Sequence, residues 1–291
     1  MKRKLMALSL IGLLMAALLG CDAFVFPFFT TNGITTTHAV KTIDFSGTIT
    51  VLDSDYQSYA IHHLVANDMA VDAYNDVLID TRDQIRRANI RIQTTLYEYR
   101  NIGPLGSVTV MKGSSKGSGF VYKEDDDFYY AITNYHVVDA QDYTPKYEVM
   151  TFEDEETHEA EVVAYDEAFD IAVIRFAKGE RSQVHLIDIV ERSFTKIAPG
   201  ELVLAVGNPL SVAHNVTFGE FVSLQPISRV SFLVLYHSAM IHEGSSGGAL
   251  VDVEGNLLGV NTWGSESSDE ESFAIPVTIL YMFLHNNELL P

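Results

Sequence analysis

The spacing of apolar positions changes three times along the chain. Leu5–Leu19 is an unbroken apolar run. Residues 22–58, rich in Thr, Ser, Asp and aromatics, keep no period and read as a tether with a short strand at Ile43–Leu52. Ile61, Leu64, Val65, Val71, Tyr74, Leu78 and Ile85 then recur at helical spacing. They predict an amphipathic helical segment over 59–88, continuous or broken near Asn75. From Asn89 the period drops to two, in Ile90–Tyr97, Ser107–Met111, Phe128–Thr133, Tyr147–Phe152 and Glu161–Tyr165. Further short apolar runs are Ile171–Phe176, Leu202–Val206, Val216–Leu224, Phe232–Tyr236, Ala249–Val253 and Leu257–Thr262. Short strands in this number, separated by turn residues, predict β-sandwiches or barrels. Pro276 opens a last helical segment, Val277–His285, and no repeat of fixed period is present.

Lys2, Arg3 and Lys4 precede the first apolar run, which falls short of the ~20 residues that span a bilayer. Basic residues followed by such a run are the layout of a secretory signal over 1–20. The run closes Leu18-Leu19-Gly20-Cys21, which resembles a bacterial lipobox despite the unusual Leu19. The expectation is cleavage before Cys21 and acylation of its thiol, anchoring the chain to the outer side of a cell membrane. The other reading of these residues is an uncleaved anchor or a buried cysteine. Cys21 is the one cysteine, so no internal disulfide or cysteine-cluster zinc site is expected. A formal charge of −20 makes nucleic acid an improbable partner.

Composition at 47% hydrophobic residues excludes wholesale disorder and leaves the chemistry to a few segments. His62 and His63 are adjacent, so they do not share a helix face, and no further ligand lies at i+4. The acidic runs Glu124–Asp127, Glu153–Glu156 and Asp269–Glu271 lack the alternating oxygen ligands and central glycine of a calcium loop. Neither a metal nor a cofactor is expected.

Glu243-Gly244-Ser245-Ser246-Gly247-Gly248 is different. A serine becomes a nucleophile only beside a base and opposite donors for the developing oxyanion. Glycines let the backbone turn so that N–H groups face a substrate carbonyl. Taken alone, the segment also reads as a flexible turn. His136 stands where the apolar run Ala131–Thr133 ends, and Asp170 directly precedes Ile171–Phe176. A buried carboxylate there can accept the histidine Nδ1–H and fix its tautomer. Separately, each also reads as a structural histidine and a turn residue.

Together, in the order His136, Asp170, Ser246, they resemble the chymotrypsin-like serine proteases, and most closely the bacterial HtrA/Deg group. The likeness extends to Gly117-Ser118-Gly119-Phe120, Gly200–Pro209, Val216–Ser223, Leu257–Thr262 and Phe273–Pro276, covering residues 89–285. It implies a mainly β fold of two antiparallel six-stranded barrels, over about 89–180 and 195–275, with a terminal helix at 276–286. It implies an acyl-enzyme endopeptidase in which Ser246 attacks, His136 moves the proton and Asp170 orients His136. The N–H groups of Gly244 and Ser246 would form the oxyanion hole. Met240, Thr262, Trp263, Gly264 and Ser272 would contact the substrate, with Met240 at the base of the primary pocket.

The sequence departs from that pattern at Ser245, where Asn or Asp is usual, at His242, where Asn is frequent, and at Ser272, where glycine is common. It ends at Pro291 with no PDZ module after the barrels, so peptide-sensing regulation is not carried over. A trimer is what the resemblance suggests for assembly. An uncharged pocket above Met240 and narrowed by Ser272 predicts cleavage after Val, Ala, Ile or Leu, because a buried cation there would go unpaired. The rival reading is a catalytically inactive, lipid-anchored binding module on the same barrels. A solute-binding lipoprotein would need two α/β lobes, which this strand-rich pattern does not supply.

Overall fold

Leu78, Thr81, Ile85 and Ala88 repeat at three- and four-residue intervals and are buried, which fixes the inward face of helix α1 (Val71–Ala88). Arg86 and Arg87 in its last turn complement the negative end of the helix dipole. The computed structural model describes residues 71–152, 157–179, 184–190, 197, 199–209, 213–264 and 271–291. The signal segment, the tether, Cys21 and residues 59–70 of the helical segment lie outside the described residues, as do His62, His63 and Glu153–Glu156.

Twelve strands follow α1 and close into two antiparallel six-stranded barrels. The first consists of β1 (Asn89–Asn101), β2 (Ser107–Glu124), β3 (Phe128–Thr133), β4 (Thr144–Thr151), β5 (His158–Asp166) and β6 (Ile171–Ala177), in the order β1-β2-β3-β6-β5-β4. The second consists of β7 (Leu202–Gly207), β8 (Asn215–Pro226), β9 (Leu233–His237), β10 (Ala249–Asp252), β11 (Leu257–Gly264) and β12 (Ser272–Pro276), in the order β10-β11-β12-β9-β8-β7. This is the chymotrypsin-like architecture that the sequence predicts. Closure leaves neither sheet with a free edge.

Each barrel is filled from its own strands. Ile90, Ile92, Val121, Ala131, Val149, Ile174 and Phe176 pack in the first. Val203, Ala205, Phe221, Leu235, Leu250, Leu258 and Ala274 pack in the second. Helix α1 is tied to the second barrel by Thr81 Oγ1, which donates to the Val253 carbonyl at 2.7 Å. After β12, Pro276 caps α3 (Val277–Asn286), whose Val277, Leu280, Phe283 and Leu284 are buried.

Two local differences from the sequence reading bear on the site. Strand β2 begins at Ser107 and runs unbroken through the Gly/Ser stretch to Glu124, because β1 pairs with it from Ser107 to Phe120 across a register shift at Leu96/Tyr97 and β3 pairs with it on to Glu124. His136 does not end a strand. β3 stops at Thr133, and the chain enters a single helical turn, α2 (Tyr135–Val138), that carries the imidazole.

Candidate active site

His136 and Asp170 come from the first barrel and are joined twice. The His136 main-chain N–H donates to Asp170 Oδ1 at 2.9 Å, and His136 Nδ1 lies 2.8 Å from Asp170 Oδ2. Because the carboxylate only accepts, the proton resides on Nδ1 and leaves Nε2 with a free lone pair. Asp170 closes the turn after β5 at φ 53°, a left-handed conformation uncommon outside Gly, Asn and Asp. Its carboxylate is largely buried while the imidazole stands half exposed.

Ser246 comes from the second barrel, on the segment between β9 and β10. Gly244 and Gly247 around it adopt φ of 96° and 89°. At Gly247 a Cβ would run into the Ser118 carbonyl and the Thr133 hydroxyl, so this position also needs glycine for space. The segment is pinned by main-chain bonds: Ser118 N to Ser246 O at 2.8 Å, Gly247 N to Asn261 O at 2.8 Å, and Ser245 N to His242 O at 2.8 Å. Among the described hydrogen bonds, none uses the N–H of Gly244 or of Ser246. These are the two donors that the resemblance to chymotrypsin-like proteases would assign to an oxyanion.

The Ser246 hydroxyl donates to the Thr262 carbonyl at 3.0 Å, and no described bond joins it to His136. Thr262 is buried beside Ser246. Its own hydroxyl accepts from Asn134 Nδ2 at 2.9 Å, and the same Nδ2 donates to the Asp170 carbonyl at 2.9 Å. Asn134 therefore ties the aspartate turn to the second barrel. Phe169, beside Asp170, meets Phe232 of the other barrel edge to face, with centroids 5.9 Å apart. Sequence reasoning gave Asn134 no role, since a single Asn without a pattern carries no signal.

The remaining predicted substrate contacts spread along the second barrel. Met240 is half buried, and its carbonyl accepts from Thr217 Oγ1 at 2.8 Å. Trp263 and Gly264 end β11 with rising exposure. Ser272 pairs across strands with both Gly264 and His237, and its buried hydroxyl has no hydrogen-bond partner. His242 is exposed, and its N–H lies 3.4 Å from Ser245 Oγ. Among the described residues no group of three His, Cys, Asp or Glu is placed to hold a metal ion.

Two closed six-stranded barrels define a chymotrypsin-like fold, with His136 and Asp170 carried by the first and Ser246 by the second. Residues 117–260 match the family model of the trypsin-like peptidase domain. The chain is 32% identical to the putative serine protease HhoB of Synechocystis sp., over 55% of this chain and 37% of that protein. It is 31% identical to the serine protease Do-like HtrA of Lactococcus lactis subsp. lactis, over 60% of this chain and 45% of that one. With the serine endoprotease DegS of Escherichia coli it shares 34% identity, over 55% and 44% of the two chains. Among solved structures, an HtrA-type protease with tripeptide matches at TM-score 0.57 and 27% identity, covering 73% of this chain and 63% of that one. A serine endoprotease from Yersinia pestis matches at TM-score 0.53 and 26% identity, covering 74% and 66%. By sequence and by fold the chain is similar to HtrA-type serine proteases. It spans less than half the length of these curated relatives.

Proposed function

We propose that the chain is a serine endopeptidase that hydrolyses peptide bonds in proteins or peptides through an acyl-enzyme. The observation that carries this is the doubly held His136–Asp170 pair of the first barrel together with Ser246 of the second, where the N–H groups of Gly244 and Ser246 enter no described bond. In this mechanism the Ser246 hydroxyl leaves the Thr262 carbonyl and donates to His136 Nε2. The imidazole takes the proton as Ser246 Oγ attacks the scissile carbonyl, and returns it to the leaving amine. Asp170 keeps the proton on Nδ1 and stabilises the imidazolium. The N–H groups of Gly244 and Ser246 receive the charge that develops on the carbonyl oxygen. A fluorophosphonate probe tests the reading directly, since it labels only an activated serine. Labelling that is lost in Ser246→Ala, together with loss of peptide hydrolysis, is expected. An unlabelled, inert parent would instead favour the inactive binding module on the same fold.

The proposal includes a place of action. Lys2–Lys4, the apolar run to Leu19 and Cys21 support a lipid-anchored protein on the outer face of a bacterial cell membrane, acting in envelope protein quality control or processing. Cys21→Ser should release the protein from the membrane fraction or block maturation. Unchanged mature mass and membrane partition would exclude the anchor.

A further inference from the structure

Ser118 touches the nucleophile loop with three different groups. Its main-chain N–H donates to the Ser246 carbonyl at 2.8 Å. Its carbonyl accepts from Thr133 Oγ1 at 2.7 Å and faces the hydrogen side of Gly247. Its hydroxyl, fully buried, donates to the Gly244 carbonyl at 2.7 Å.

The direction of that last bond is set by the surroundings. Ser118 Oγ accepts from the Asn208 main-chain N–H at 2.8 Å, with Asn208 Nδ2 3.1 Å away. A hydroxyl has one proton, and the Gly244 carbonyl can only accept, so the proton points at Gly244. Asn208 is in turn braced. Its Nδ2 also donates to Asn89 Oδ1 at 2.8 Å and to the Ile90 carbonyl at 2.9 Å, while its Oδ1 accepts from the His214 N–H at 2.8 Å. Asn89 donates to the Gly119 carbonyl at 2.9 Å and accepts from His214 Nδ1 at 3.0 Å. Asn89 is also the first residue after helix α1.

From this chain of bonds we infer that Ser118, held by Asn208 and Asn89, is a positioning residue for the oxyanion-binding loop, and that the α1–β1 junction is wired to that loop through it. Gly244 has no side chain to limit its torsions, so its neighbouring peptide planes turn easily. Its held carbonyl fixes the Gly244–Ser245 peptide plane, the held Ser246 carbonyl fixes the Ser246–Gly247 plane, and the Gly248 N–H on the Ser245 carbonyl at 3.0 Å fixes the plane that carries the Ser246 N–H. Preorganised donors stabilise developing charge because they need no rearrangement during reaction. The helical segment before the barrels thereby acquires a role beyond packing.

The inference rests on the endopeptidase reading, and two readouts separate their fates. In Ser118→Ala, with the parent as reference, kcat on a peptide substrate should fall ~10–100-fold with KM within about twofold, below the loss for removing an oxyanion donor outright. Ser118→Cys, which keeps the size but donates weakly, should fall between the two. The amide resonances of Gly244 and Ser246 should shift in both variants while the unfolding midpoint stays near that of the parent. Unchanged kcat, or unchanged Gly244 and Ser246 resonances, overturns the inference. If the parent shows neither hydrolysis nor fluorophosphonate labelling, the endopeptidase reading falls, and the resonances alone decide whether Ser118 positions the loop.

Discussion

Asp170 grips His136 at two points, through the main-chain N–H and through Nδ1, so one carboxylate sets both the position and the tautomer of the imidazole. Asp170→Asn separates these functions. Asn tolerates the positive φ of 53° at this turn, and its carbonyl oxygen can still accept from the His136 N–H. Its NH2 group then faces Nδ1 and drives the proton to Nε2, where a base needs a lone pair. Turnover should drop by about 10⁴-fold, the size this exchange has in a serine protease triad, with folding retained. Steady-state kinetics on a peptide substrate checks it, and a loss under tenfold would contradict the assigned role.

Acid should weaken the fold through two buried histidines. Burial holds His237 down to about 3, offset only in part by the Asn261 side chain and Ala239 main chain beside it. Burial, with Arg86 and Arg91 nearby, holds His214 down to about 4. Both titrate near 6.5 in an unfolded chain, which therefore binds more protons than the native state below that pH. Their contribution is fully present above pH 6.5 and is lost as pH falls towards 4 and 3. Denaturant midpoints measured across this range should decline, and less steeply in His237→Leu. Equal slopes for parent and variant would rule His237 out as a source.

Gly247→Ala tests the close approach between barrels. The new methyl would meet the Ser118 carbonyl and Thr133 hydroxyl at a φ of 89° that alanine rarely adopts. Left-handed strain of ~1–2 kcal/mol plus the clash should destabilise by about 3 kcal/mol or more. Chemical denaturation measures it, and parental stability would mean the two chain segments part without cost.

Ser272→Gly should move cleavage preference after Val, Ala, Ile or Leu towards larger side chains. Ser272 faces His237 and Gly264 across its strand neighbours, and its hydroxyl gains no bond in return for the space it takes. Profiling a peptide library by mass spectrometry gives the preference of both proteins. Identical profiles would remove Ser272 from the pocket, and dominant cleavage after Arg, Lys, Asp or Glu by the parent would overturn the pocket reading.

What the sequence made legible follows from pattern length. Strands such as Phe128–Thr133 and Ile171–Ala177 alternate or run apolar between turn residues, so their places were readable. Strand β2 was readable only at its start. Lys112–Gly119 has no apolar alternation, and it is a strand because β1 pairs with it. His136, Asp170 and Ser246 stand out as candidates because the segments around them, taken together and in order, carry the resemblance. Ser118, Asn134 and Asn208 lie inside or beside those segments, but one sequence does not say what their side chains, or that of Asn89, bond to. Their bonds link positions far apart in the chain, such as Asn208 with Asn89 and Ser118 with Gly244, and exist only once the barrels dock. His136 was placed at a strand end because the apolar run stops there, whereas Asn134 turns the chain into a helical turn first.

Dividing the triad between two separately filled barrels has a consequence for how the molecule is made. During synthesis the first barrel, with His136 and Asp170, leaves the ribosome before Ser246 has been added, and domains fold in that order. A half-made chain thus holds a base with no hydroxyl to activate. Under the proposed function, reactivity would arise only at one late event, the docking of the second barrel on the first, and the geometry itself would keep a nascent molecule harmless to its neighbours.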